Sequence, residues 1–209
     1  MKYAWLFLLA GCQEDITTMF PPGLEPFSDD GNAAALVHDG NEGLVTRAID
    51  FDMIRVYGRG YLYAPFAAVW TASHEPRAWI GACNTTTQTV TPDNDPGYEL
   101  SFLVHYFVDD ILNVEWDDQW RGAEIEAGLA MLKHQKIFGS DIITISEGTT
   151  QLVETDDPNI TELLFVEHLD AAGGSKGDVV GAMQHQFDSL RSLVNGGTIP
   201  PCLIPSLGE

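Results

Sequence analysis

Hydrophobic residues follow two different periods along this chain, and the switch between them gives its outline. Near the C-terminal end Val179, Val180, Met183, Phe187, Leu190 and Val194 recur at steps of one, three and four, which places them on one stripe of a helix. Gln184, Asp188, Arg191 and Ser192 fall on the opposite side. Ser175 followed three residues later by Asp178 is a helix start signal with an acid in the first turn. Asn195-Gly196-Gly197 stops the helix, and Pro200-Pro201 prevents its return. The pattern predicts a long one-sided helix that needs a broad apolar surface to lie on.

The chain before that helix is dominated by period-two alternation. Ile49 to Tyr63 reads as a strand with Ile54, Val56 and Leu62 on one parity. Gly58 and Gly60 interrupt that parity and signal a bulge or a close backbone approach. Pro65 suits the first turn of a short helix with Phe66, Val69 and Trp70 on one face, and Arg77 to Ala82 forms a second short helix. Thr85 to Val90 is β-prone. From Tyr98 to Val108 the residues Leu100, Phe102, Val104, Tyr106 and Val108 share one side. From Val114 to Arg121, Trp116, Asp118 and Trp120 oppose Glu115, Asp117, Gln119 and Arg121. Met131 to Phe138, Ile142 to Val153 and Ile160 to Leu169 complete the strands. With no βαβ alternation the sheet is expected to be antiparallel. By contrast, Gln13 to Val45 is Pro, Gly and acid without sustained period, the composition of a flexible tether.

The N-terminus adds a compartment. Met1-Lys2 is a short basic start, Tyr3 to Leu9 is an apolar run too short to span a bilayer, and Leu9-Ala10-Gly11-Cys12 follows. This resembles a bacterial lipoprotein signal, in which Cys12 becomes the lipidated N-terminus. The resemblance implies a chain held to a membrane by acyl chains. It further implies the cell envelope, facing the periplasm, with the outer membrane favoured by Gln13 after the cysteine. With 31 acidic and 10 basic residues, a net charge of −21, the surface repels nucleic acid and anionic headgroups. Membrane contact is therefore expected through the anchor rather than through a basic patch, and no nucleic-acid partner is expected. Acylation of Cys12 leaves Cys83 and Cys202, an even pair in an oxidising compartment and a candidate disulfide.

The element order, together with VYGRGYLYAPFAAVWTASHEP (residues 56–76) and TELLFVEHLDA (161–171) before the long helix, is similar to the START-like superfamily, also called SRPBCC, which includes polyketide cyclases and dehydratases. The recurrent part is Leu62, Ala64-Pro65 and Val69-Trp70. The resemblance covers Thr46 to Gly197. It implies an α+β helix-grip fold: a curved seven-stranded antiparallel sheet wrapped on a long C-terminal helix, with short helices after the first strand. The layout is then a signal peptide over residues 1–11, a lipidated cysteine and tether over 12–45, the domain over 46–197 and a tail over 198–209. The family keeps an apolar cavity between sheet and helix for lipids, sterols or polyketides, and it has no universal catalytic residues to carry over.

Parity selects the cavity candidates. Phe102, Tyr106, Trp116 and Trp120 share the inner face, and Met183 and Phe187 face them from the helix; these side chains either fill a core or line a ligand site. Asp118 lies on the same parity, and a buried carboxylate must be paired, hydrogen-bonded or neutral; a register slip of one residue instead turns it to water. His105, His134, His168 and His185 sit on separate elements with no metal-ligand spacing, so no metal is expected. The absence of GxSxG, GxGxxG and P-loop patterns argues against a catalytic triad and against nucleotide cofactors. The leading expectation is a membrane-anchored domain that binds a hydrophobic small molecule or lipid. The alternatives are a cyclase-like or dehydratase-like enzyme using Asp118, Tyr106 or His105 in the same cavity, and a filled domain that acts through its surface.

Overall fold

The computed structural model describes residues 15–20, 23–109 and 113–201; the signal segment, Cys12 and Cys202 lie outside them. In chain order the elements are a one-turn helix α1 (Gly31–Ala34), strands β1 (Gly43–Asp50) and β2 (Ile54–Leu62), helix α2 (Phe66–Ser73) and a 3-10 turn over Pro76–Trp79. Strands β3 (Thr87–Pro92), β4 (Leu100–Val108), β5 (Val114–Glu126), β6 (Leu129–Gly139), β7 (Ile143–Glu154) and β8 (Thr161–Ala171) follow, and helix α3 (Lys176–Val194) comes last. The strands form one open antiparallel sheet in the order β1-β2-β8-β7-β6-β5-β4-β3. The fold is the helix-grip, α+β arrangement, with α3 laid on the inner face.

The sheet has eight strands, not seven. The stretch read as one strand from Ile49 to Tyr63 is a hairpin, because the chain reverses at Phe51–Met53. Asp52 supports the turn: its carboxylate accepts the Met53 N–H at 3.1 Å and a bidentate pair of bonds from Arg55. The sheet therefore begins at Gly43 rather than at Thr46.

The flexible tether expected before it is, over its described part, packed against the sheet. Ile16 N–H and Thr18 N–H donate to the carbonyls of Gly139 and Ile137, both at 2.8 Å. Farther along, Phe27, Ala33 and Leu36 cover Tyr57, Leu164 and Val166 on the outer face of β2 and β8. The physical reason is that these central strands are apolar on both faces, so the outer face also needs cover. Polar contacts fix the strap. Asp29 accepts from the Tyr57 hydroxyl at 2.8 Å and lies 3.0 Å from His168, and buried Asp30 accepts from Thr149 at 2.8 Å.

Helix α3 forms as its sequence dictates. Ser175 and Asp178 make a reciprocal capping box, and Asn195 ends the helix ahead of Gly196 in the left-handed region. Val179, Met183, Phe187 and Leu190 are buried, while Val180 and Val194 are half-buried at the margins. Gln186 is also buried and ties the helix to the 3-10 turn, donating to the Trp79 carbonyl at 2.9 Å. The helix seats on a groove made by the two strand glycines. A Cβ on Gly58 would lie 2.4 Å from the Met183 sulfur, and one on Gly60 would lie 2.8 Å from the Phe187 ring and 2.9 Å from the Gly43 carbonyl oxygen. The irregular parity of β2 is thus a close approach between strand and helix, one of the two readings its sequence allowed.

Candidate functional site: a cavity with a polar floor

The groove draws α3 onto β1, β2 and β8, so the space over β4 to β7 is left for other groups to fill. The helix side that faces it carries Val179, Ala182 and Gln186, too small together to occupy it. The result is a cavity of about 670 Å³. Its walls are Tyr106 and Val108 from β4, Val114, Trp116 and Trp120 from β5, Ile143 from β7, Leu169 from β8, and Trp79. Its lining reaches solvent at Asn84, Ala172, Gly173 and Asp178, which are exposed, and at Val108, Val114, Ile142, Ala171 and Gly174, which are half-buried.

Four of the seven cavity candidates line this space: Tyr106, Trp116, Asp118 and Trp120. Phe102, Met183 and Phe187 do not. Phe102 stacks on Trp120 with ring centroids 5.7 Å apart and is fully buried behind it. Met183 and Phe187 fill the glycine groove and are closed off from any hollow. Parity separates the inner from the outer face, but only the position of the helix along the sheet decides which inner residues become wall and which become packing.

The floor is polar. Asp118 points inward with Trp116 and Trp120 and is 4% exposed. The β5–β6 ladder does slip beside it, between Asp117 and Asp118, but the extra residue is Ile137 on β6, so the alternation of β5 survives. One Asp118 oxygen accepts a long bond from the Ser146 hydroxyl at 3.4 Å. Across the floor His134 Nε2 lies 2.9 Å from Glu167 Oε2, donating its N–H to the carboxylate, and the His134 ring stacks on Trp120 at 4.1 Å. Behind them the buried ammonium of Lys136 donates to the carbonyls of Ser140 and Ile143 at 2.6 and 2.5 Å. Asp118 Oδ1, Glu167 Oε1, His134 Nδ1 and the indole nitrogens of Trp116 and Trp120 have no hydrogen-bond partner among the described residues.

Burial governs the electrostatics here. Loss of solvent lifts the Asp118 carboxyl to about 6; His134 and the nearby Trp116 indole, which is outside hydrogen-bonding geometry, oppose the shift, and Glu167 adds to it. Burial also pushes the Tyr106 hydroxyl well above its ordinary range, with Asp118 and Glu167 reinforcing it. For His134 burial acts downward, but the charge and hydrogen bond of Glu167 outweigh it and the net shift is up. Burial moves Lys136 down.

Of these floor residues only Tyr106 and Asp118 were singled out from sequence. His134 and Glu167 were missed, although a signal existed: each shares the inward parity of Ala130 and Leu132, or of Leu163 and Phe165. His105 points out of the sheet, where it pairs with Asp117 at 2.7 Å, and so leaves the set of cavity acid–base groups. Cys83 is disulfide-bonded.

A long helix gripped by an open antiparallel sheet, with a hollow between them, is the helix-grip fold. Two solved structures share this arrangement. One is the STAR-related lipid transfer protein from Xanthomonas axonopodis, with a TM-score of 0.51 at 10% identity over 76% of this chain and 97% of that one. The other is human StAR-related lipid transfer protein 5, with a TM-score of 0.50 at 14% identity over 80% of this chain and 95% of that one. At such identities the likeness is one of fold. No protein-family model matches the chain, and no curated protein matches its sequence.

Proposed function

We propose that this chain is a membrane-anchored lipoprotein whose helix-grip domain binds a hydrophobic small molecule or lipid between the sheet and α3. The observation that carries the reading is the cavity itself: about 670 Å³, within the range of small-molecule sites, walled by aromatic and aliphatic side chains, with a few convergent polar groups. The anchor is Cys12, following the Leu9-Ala10-Gly11 box, and it places the domain at the cell envelope with the outer membrane as destination. The names of both neighbours described above contain the words lipid transfer, which fits the same use of the hollow.

The test is native mass spectrometry of the full chain purified from membranes. A co-purifying small molecule or lipid is expected. Ala182 lines the cavity and is half-buried, so Ala182→Trp fills the space; it is expected to abolish that adduct, with circular dichroism as the check that the fold survives the close packing of Ala182 on Gly81. A chain that carries no adduct, and that takes up no apolar fluorophore in a way Ala182→Trp blocks, refutes ligand binding. Cys12→Ser is expected to release the protein from the membrane fraction; continued sedimentation with membranes refutes the acyl anchor.

A second reading, an acid–base enzyme of the cyclase or dehydratase kind, is favoured by one observation. Asp118, His134 and Glu167 converge on one floor, beside Tyr106. His134, oriented by Glu167, is the base of that reading, and Asp118 is its acid.

A further inference from the structure

Resting on that reading of the cavity, we propose that its ligand carries a hydrogen-bond-donating end, an amine or a hydroxyl, which docks on Asp118 and Glu167, and that the site rejects amphiphiles ending in an acid. Three observations converge on this. The first is the floor. Asp118 is 4% exposed, and among the described residues its Oδ1 has no partner; Glu167 keeps one oxygen on His134, and its Oε1 likewise has no partner among them. A buried acceptor without a donor costs free energy, and a ligand N–H or O–H is the group that satisfies it. A carboxylate or phosphate brings only further acceptors and like charge.

The second is the distribution of cations. Lys136 is the lysine nearest the floor, yet it is not among the residues lining the cavity, and its ammonium is engaged by two backbone carbonyls. His134 directs one N–H to Glu167 and stacks its ring on Trp120. Among the described residues an acidic ligand end therefore meets two carboxyl groups with neither an arginine nor an unengaged ammonium beside them; the unpartnered donors there are the neutral indole N–H groups of Trp116 and Trp120, which carry no charge to offset that repulsion. The aromatic faces of Trp116 and Trp120 add to this, because indole faces attract cations.

The third is the mouth. Asp109, Asp141 and Asp170 are exposed and each follows or precedes in sequence a solvent-reaching lining residue (Val108, Ile142, Ala171), and exposed Asp178 lines the cavity itself; Lys176 is the basic residue beside them in sequence. On a chain with net charge −21 this collar raises the local concentration of cations and lowers that of anions before any contact is made. Entrance and floor thus select in the same direction.

The experiment compares three probes of equal chain length, dodecylamine, 1-dodecanol and dodecanoate, with the full chain near neutral pH and below micelle-forming concentrations. Binding is read by the fluorescence of Trp79, Trp116 and Trp120 around the cavity. The amine and the alcohol are expected to bind, and dodecanoate to bind at least about tenfold more weakly, the ratio that one charge-assisted hydrogen bond gained or lost supplies. Asp118→Asn and Glu167→Gln keep shape and remove charge; each is expected to cut the amine-to-acid ratio by about tenfold while leaving the surface collar intact. Equal or tighter binding of dodecanoate overturns the proposal and leaves the cavity reading standing. An unchanged ratio in both variants also overturns it, by showing that the surface alone selects. If no probe binds, the cavity reading fails and this inference with it. Should one variant not fold, the other and the wild-type comparison still decide.

Discussion

Asp118→Asn is expected to stabilise the ligand-free protein, and to do so more as the pH rises. Burial raises the Asp118 carboxyl from an ordinary value of 3.8 to about 6. The folded chain therefore holds this proton over a range in which the unfolded chain has released it. The sign follows: a raised carboxyl lowers stability as pH climbs from about 4 to about 6, and the deficit is complete above that. A difference of this size is worth about 3 kcal/mol at neutral pH, of which about 1 kcal/mol is already present at about pH 4.5. Asparagine keeps the shape and removes the titration. The stability gained by the variant should thus grow by about 2 kcal/mol between about pH 4.5 and about pH 7.5. Urea unfolding of both proteins at the two pH values measures it; titrating groups away from Asp118 drop out because both chains share them, while His134, which the Asp118 charge helps to hold protonated, only trims the difference. A gain that is the same at both values, or that shrinks as pH rises, would falsify the placement of Asp118 as a buried, uncompensated acid.

Three further outcomes follow from the packing. Gly60→Ala drives a methyl group into the Phe187 ring and the Gly43 carbonyl oxygen, so it should cost about 1–3 kcal/mol in thermal or urea unfolding; a neutral effect shows that α3 does not seat on β2. His168 holds the N-terminal strap between Glu147 and Asp29, and although burial acts downward, those partners raise it overall. Its contribution is full below about pH 6.5 and is lost as pH rises through the raised value. Hydrogen-exchange protection over residues 23–36, taken relative to the base-catalysed rate of an unfolded chain at each pH, should accordingly fall at alkaline pH, and His168→Gln should remove that fall. Finally, intact mass under nonreducing conditions should show Cys83 joined to Cys202, since Ile199 and Pro200 already lie beside Ile80 and Gln88 close to Cys83; a free thiol at Cys202 sinks that pairing.

Local periodicity carried the parts of the fold that are locally decided. The stripe of α3, its capping box and the alternation of β4 and β5 each follow from residues within a few positions of one another. The turn between β1 and β2 was illegible because Phe51 and Met53 keep an apolar tone through it, without the Asn-Gly or Asp-Gly signal of a tight hairpin. Nor does composition announce the strap. Its Pro, Gly and acid content reads as disorder, and only the apolar outer face of β2 and β8 explains why Phe27, Ala33 and Leu36 settle there. The floor was half legible. Asp118 sits between two tryptophans and stands out, whereas His134 and Glu167 are 33 residues apart and converge only because β8 returns between β2 and β7.

The two ends of the inner face answer different demands. At the β2 end, glycines let Met183 and Phe187 descend until no space remains, and the helix is held there by dense contact. At the other end Asp118, Glu167 and His134 occupy positions whose parity neighbours, Trp116 and Trp120, Leu163 and Phe165, and Ala130 and Leu132, are apolar and buried. Apolar residues of similar volume at these three positions would give a more stable core, since unmatched buried polar groups cost more than the hydrocarbon that could replace them. Stability therefore does not account for this floor. A partner that enters by the mouth and satisfies those atoms does, because its binding free energy offsets a deficit that the empty chain carries alone. On this argument the ligand stabilises the fold most where the ligand-free protein is weakest, and protection from unfolding should be larger for the native protein than for Asp118→Asn.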